Sequence, residues 1–123
     1  MRTSRVTLTA ARLSGAAVLL LGLLLWTGHA PTLVSTHMAL GTILVLALWT
    51  LAGRAFRRGV SRTSVAMAVA WGLIVPLVGV VQLTLPAGGG YGMVRVLHLI
   101  VGLGAIAQAE SLARQLGGPP RAS

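Results

Sequence analysis

The chain has 123 residues, of which 55% are hydrophobic, with ten basic residues, one acidic residue and no cysteine. A chain of this length forms one domain, and its long, nearly uncharged apolar runs exclude an ordinary water-soluble fold. The missing cysteine excludes disulfides, thiolate metal sites and iron–sulfur clusters built from this chain.

Four apolar segments are each long enough to cross a bilayer, which takes about 20 helical residues. They are predicted at residues 12–26, with 9–11 as an extension, and at 32–52, 63–85 and 92–112. Glycine and proline predict tight turns at 28–31 and 86–92, and a basic loop is predicted at 53–62. The sequence therefore predicts an all-α membrane protein, residues 1–123 forming one antiparallel bundle of four transmembrane helices with a flexible tail at 113–123.

The arginines predict the topology. They flank the apolar segments at Arg2, Arg5, Arg12, Arg54, Arg57, Arg58, Arg62, Arg114 and Arg121. By the positive-inside rule, both termini and the middle loop are cytoplasmic, as in a bacterial-type cytoplasmic membrane. The lipid bilayer is the expected partner of this charge, and nucleic acid is not, because no aromatic residues alternate with the basic ones. The basic start and the residues Gly28-His-Ala30 are also typical of a cleavable signal, but we expect segment one to be retained.

Two histidines stand inside predicted membrane segments, where an ionisable side chain is costly and usually functional. His37 begins His-Met-Ala-Leu-Gly41, and His98 begins His-Leu-Ile-Val-Gly102. Segments two and four run in the same direction, and a rise of 1.5 Å per residue places both histidines roughly 8–9 Å below the outer boundary. A gap-free shift of 61 residues aligns His37 with His98. We interpret the chain as two repeated helical hairpins, 12–52 and 63–112.

Two imidazoles at one depth predict the ligands of one bound group. Zinc usually takes more than two protein ligands, and copper or iron sites with two histidines also need a carboxylate, whereas the sole acid, Glu110, is expected near the opposite end. Haem b fits best, because the porphyrin supplies four nitrogens and the protein adds two axial imidazoles. We expect one haem b per chain, with His37 and His98 as its metal ligands.

Four further residues are predicted to take part in cofactor binding. Gly41 and Gly102 leave room for a flat macrocycle, although small residues also permit close helix packing. Arg95, one turn before His98, is expected to pair with a haem propionate or else to extend to lipid phosphate. Gln82 is expected to bond an imidazole N–H, a quinone or a neighbouring backbone carbonyl.

Other intramembrane residues carry simpler predictions. Pro76 is expected to kink segment three, and Glu110 and Arg114 have the spacing of an i,i+4 ion pair. Trp71 does not fit the interfacial positions expected for the other tryptophans. His29 falls in an outer turn and is interpreted as a surface residue.

Four helices with histidines on the second and fourth resemble one half of a heme A synthase, a family that joins two such units. The runs Gly79-Val-Val-Gln82 and Val96-Leu-His98-Leu-Ile-Val-Gly102 are also similar to small bacterial b-type cytochrome subunits. This resemblance implies a haem-holding role for His37 and His98. Heme A synthases have a glutamate three residues before a histidine of helix two, where this chain has Val34, so only haem holding is carried over.

The leading hypothesis is a membrane b-type cytochrome that transfers electrons near the outer face, with a quinol or a redox protein as its partner there. An electron-transfer or haem-binding role is favoured over a complete enzyme. One alternative is a non-catalytic structural or assembly subunit of a larger membrane complex. Another is a haem-handling or haem-modifying protein related to heme A synthase. Glycine-rich helix faces are compatible with a homodimer.

Overall fold

The protein consists of four α-helices. The computed structural model describes residues 2–118, with side-chain positions from residue 5 onward. The helices are α1 (Arg2–Trp26), α2 (Val34–Arg57), α3 (Arg62–Thr84) and α4 (Gly89–Gly117), with a 3-10 turn at Pro31–Leu33 before α2. No strand occurs within residues 2–118. Each helix is long and apolar enough to cross a membrane, which confirms the predicted all-α class with four helices of membrane-spanning length and indicates a multi-pass membrane protein.

The helices extend beyond the predicted apolar segments. α2 continues through residues 53–57, so the basic connection to α3 is a turn of residues 58–61. α4 continues through residues 113–117 of the predicted tail, and residues 119–123 lie outside the part of the chain that the structure describes. Hydropathy detects only the apolar part of each helix, whereas alanine, arginine and glutamine favour continuing it.

The turn between α2 and α3 follows from three residues. Gly59 has φ of 72°, a left-handed conformation that glycine adopts without a Cβ clash. The backbone N–H of Val60 donates to the carbonyl of Ala55 at 3.0 Å, the pattern of a Schellman motif. Ser61 then caps α3 by accepting a hydrogen bond from the backbone N–H of Ser64.

The two helices that carry His37 and His98 form the centre of the bundle. α2 and α4 contact each other, and each also contacts both α1 and α3. α1 and α3 share no contact within the described residues. Side chains of α2 and α4 can therefore meet directly between the two flanking helices.

Close packing is confined to one half of the bundle, which we call the packed half. The last buried residue of α1 is Gly15 and the first of α2 is Leu44, while the last of α3 is Val75 and the first of α4 is Val101. The remaining length of the helices, here called the open half, has no buried residue among those described. Both histidines lie in the open half.

Two tryptophans pack against glycines of neighbouring helices. Nε1 of Trp71 donates to the carbonyl of Val101 at 2.8 Å, and its ring covers Gly104. Trp49 covers Gly72 in the same way. Trp71 therefore belongs to the interior of the bundle, since its N–H finds a backbone acceptor on α4.

The acidic residue of the chain has a different partner from the predicted one. Glu110 of α4 is bound by Arg12 of α1, with Nε–Oε1 at 2.5 Å and Nη2–Oε2 at 2.9 Å. Contact between α1 and α4 permits this bidentate guanidinium–carboxylate geometry. Arg12 is thus the direct partner of Glu110, and Arg114, the predicted partner, acts on it only through its charge. The pair lies in the packed half, far along α4 from His98.

Candidate cofactor site

The open half of the bundle encloses a cavity of about 590 Å³, within the range of about 300–1,000 Å³ that is typical of small-molecule sites. All four helices line it, and most of the lining is apolar. The cavity brings together all six residues predicted to bind the cofactor: His37, Gly41, Gln82, Arg95, His98 and Gly102. Pro76 lies within the unbroken helix α3 and also lines the cavity.

The two histidine rings lie close together in the lining of this cavity. Their ring centres are 6.0 Å apart, and the ring planes are tilted by 57°. A ring nitrogen lies about 1.1 Å from its ring centre and, taking the zinc value, about 2.0–2.1 Å from a bound metal, so two imidazoles on opposite sides of one metal have centres about 6.3 Å apart. The observed separation fits one metal held between the rings.

Each histidine ring packs against a glycine that the sequence analysis did not single out. A Cβ built on Gly22 of α1 would lie 3.2 Å from Cε1 of His37, and one on Gly79 of α3 would lie 3.2 Å from Cε1 of His98. Each contact is tight enough that a larger residue would press on the ring. The sequence signal for these contacts is that the helix before each histidine has a glycine at about the same depth as that histidine.

Within each histidine ring, the two nitrogens, Nδ1 and Nε2, have different surroundings. Nδ1 of His37 and Nδ1 of His98 are both enclosed and make no hydrogen bond. Because both side chains line the cavity, Nε2 is the nitrogen available to a group bound there.

Gly41 and Gly102 keep space open rather than bringing helices together. A Cβ on either residue would meet no atom within 4 Å, although both residues line the cavity. Gly72 and Gly104, in contrast, are covered by tryptophan rings. Of the two roles expected for Gly41 and Gly102, this geometry fits the first, which is to leave room for a bound group.

Arg95 places a positive charge at the rim of the cavity, one turn from His98 and away from the packed half. Its Nη2 donates to the carbonyl of Trp26 at 2.7 Å, and its Cζ lies 4.5 Å from the centre of the Trp26 ring. Tyr91 contributes a second ring at 5.4 Å. The sole acid of the chain, Glu110, is bound elsewhere. Residues 5–118 thus offer Arg95 no carboxylate side chain.

Gln82 brings an amide into the same apolar cavity. Its Oε1 is enclosed and has no hydrogen-bond partner, so the predicted bond from an imidazole N–H is not formed. An enclosed polar atom without a partner costs about 1–3 kcal/mol. His29, in contrast, is exposed and does not line the cavity.

The side chains available as metal ligands suit a bound group that itself supplies the other ligands of its metal. Among residues 5–118 there is no cluster of three or more histidine, cysteine, aspartate or glutamate side chains able to hold a metal ion. A bare zinc ion ordinarily takes at least three protein ligands. The histidine pair therefore fits a macrocycle that supplies the remaining ligands.

No family model, curated protein or solved structure matches this chain. The resemblance to heme A synthases therefore depends on the number of helices and the spacing of the histidines alone.

Proposed function

We propose that this protein is a membrane b-type cytochrome that holds one haem b between His37 and His98 and acts in electron transfer. The observation that carries the proposal is the pair of imidazole rings, 6.0 Å apart, that line one cavity of about 590 Å³. Haem would supply one-electron redox chemistry at this position. His37 and His98 would both be ligands of the metal, which would suit electron transfer better than binding of small gases.

The residues around the histidines suit a flat macrocycle. Gly41 and Gly102 leave the space one turn from each ligand free of side chains. Arg95, which has no carboxylate partner in the described part of the chain, would bind a propionate by a charge-assisted hydrogen bond. Gln82 supplies an amide beside the same cavity, where it would contact the cofactor or a ligand ring. These residues give the macrocycle a polar rim and an apolar enclosure.

We further infer that the helices form two antiparallel hairpins related by the internal repeat. Contacts at opposite ends of the helices support this arrangement: Arg12 near the start of α1 binds Glu110 near the end of α4, and Trp26 at the end of α1 accepts from Arg95 near the start of α4. The positive-inside rule then puts both termini and the 58–61 turn in the cytoplasm, and the open half toward the outer face. A quinol or a redox protein would exchange electrons there, in a bacterial-type cytoplasmic membrane.

The proposal is tested by the colour and ligation of the purified protein. We expect the full chain, expressed with a haem supply, to show a Soret band and a sharp reduced α-band, with about one haem per chain by pyridine haemochrome assay. His37→Ala and His98→Ala should each abolish the low-spin spectrum. His29→Ala is the matched control, because His29 is exposed and outside the cavity, and it should leave the spectrum unchanged.

Other results would favour the competing functions. A colourless protein that copurifies with larger membrane subunits would indicate a structural or assembly role. Labile haem together with a chemically altered porphyrin would indicate haem handling or modification. Unchanged spectra in both His37→Ala and His98→Ala would refute the ligand assignment.

A further inference from the structure

Two residues that line the cavity on neighbouring helices each have an enclosed polar atom without a hydrogen-bond partner. One is Nδ1 of His98 and the other is Oε1 of Gln82. If Nε2 faces the cavity as a metal ligand, Nδ1 carries the proton and becomes a donor. A carboxamide oxygen is an acceptor only. The two atoms are therefore chemically complementary.

The spacing on α3 puts Gln82 within reach of this ring. A Cβ built on Gly79 would lie 3.7 Å from Nδ1 of His98. Gln82 follows Gly79 by three residues, and such neighbours on a helix surface have Cβ atoms about 5–6 Å apart. The long glutamine side chain spans this gap by rotation of its amide or through one bound water, which needs at least two polar partners.

Both histidines have an enclosed Nδ1 without a hydrogen bond. The His37 ring packs against Gly22 of α1, and the His98 ring packs against Gly79 of α3, the helix that carries Gln82. The acceptor proposed for His98 is thus a side chain that mutation can change.

We infer that, when haem is bound, Oε1 of Gln82 accepts a hydrogen bond from Nδ1–H of His98, directly or through one enclosed water, and so positions the ring; neither atom has a partner in the structure described above. This inference depends on the proposed haem ligation. The bond holds the His98 ring in the tautomer with Nε2 free, and it raises the basicity of the ligand. A more basic ligand favours the oxidised metal, so Gln82 lowers the reduction potential of the bound group.

The test compares three variants of the full chain. Gln82→Leu should raise the midpoint potential and weaken haem retention about 10-fold, the lower end of the effect reported for such partners of metal ligands. Gln82→Glu keeps the acceptor oxygen and should retain haem with a potential no higher than that of the wild type. Thr50→Val is the control, because the Thr50 hydroxyl donates to a carbonyl of its own helix, that of Leu46, and Thr50 does not line the cavity; it should change neither quantity.

A second measurement detects the proposed hydrogen bond between His98 and Gln82 directly. In selectively labelled protein, the Nδ1–H proton of His98 should shift upfield in Gln82→Leu and not in Thr50→Val. A wild-type potential, haem retention and proton shift in Gln82→Leu would overturn the inference while leaving the proposed function intact. A wild-type protein without haem would overturn both. If Gln82→Leu does not accumulate, a raised potential or rapid haem loss in Gln82→Glu overturns the inference, and wild-type behaviour supports it.

Discussion

Replacing Gly102 by leucine should affect the empty and the haem-loaded protein in opposite directions. A Cβ at Gly102 meets no protein atom within 4 Å, so the new side chain enters the cavity without displacing a helix. Leucine-to-alanine changes in packed interiors cost about 2.7–5.0 kcal/mol. Partly reversing such a loss in an existing cavity should stabilise the apoprotein by about 1–2 kcal/mol.

In the loaded protein the same side chain competes with the macrocycle for space. Overpacking a filled interior costs about 1–3 kcal/mol. The change in binding free energy is the sum of the apoprotein gain and the loaded-state loss, about 2–5 kcal/mol, which weakens haem binding at least about 30-fold. Haem content per protein after purification and thermal unfolding of the apoprotein measure the two effects separately.

Gly53→Leu is the matched control for this experiment. Gly53 also has no atom within 4 Å of a built Cβ, but it does not line the cavity. It should leave haem content unchanged. The reasoning is refuted if Gly102→Leu purifies with full haem content and an unaltered spectrum.

Four further predictions follow from particular contacts. Trp71→Phe removes the hydrogen bond to the carbonyl of Val101 and should lower the free energy of unfolding by about 0.5–1.5 kcal/mol, measured by thermal denaturation in detergent; unchanged stability would contradict this role. Glu110→Gln should lower the melting temperature without changing the haem spectrum, because its ion pair lies in the packed half, and the exchange Arg12→Glu with Glu110→Arg should recover part of the loss. Arg95→Leu should weaken haem retention more than Arg95→Lys, which keeps the charge, and equal retention in both would argue against propionate binding. A fluorescent protein fused at the C-terminus should be bright and a phosphatase fusion there inactive, and the opposite pattern would invert the proposed topology.

The sequence by itself determined the presence of the four helices and the equivalent positions of His37 and His98 in segments two and four. Apolar runs longer than about 20 residues predict membrane helices because an unpaired backbone group is too costly in lipid. The equal depth of His37 and His98 followed from their places in segments two and four. Gly59 ends α2 and Ser61 caps α3 through local backbone geometry and hydrogen bonds, which need no tertiary contact.

Only the tertiary structure decided which residues meet and where space remains. Gly102 and Gly104 stand two residues apart, yet one borders the cavity and the other lies under Trp71. Glu110 binds Arg12 across the bundle rather than its helical neighbour. The physical reason is that a helical sequence specifies its own periodicity but not its rotation against its neighbours. That rotation determines whether a glycine is covered by an aromatic ring. It also confines close packing to one half of the bundle, while the histidines line a cavity in the other half.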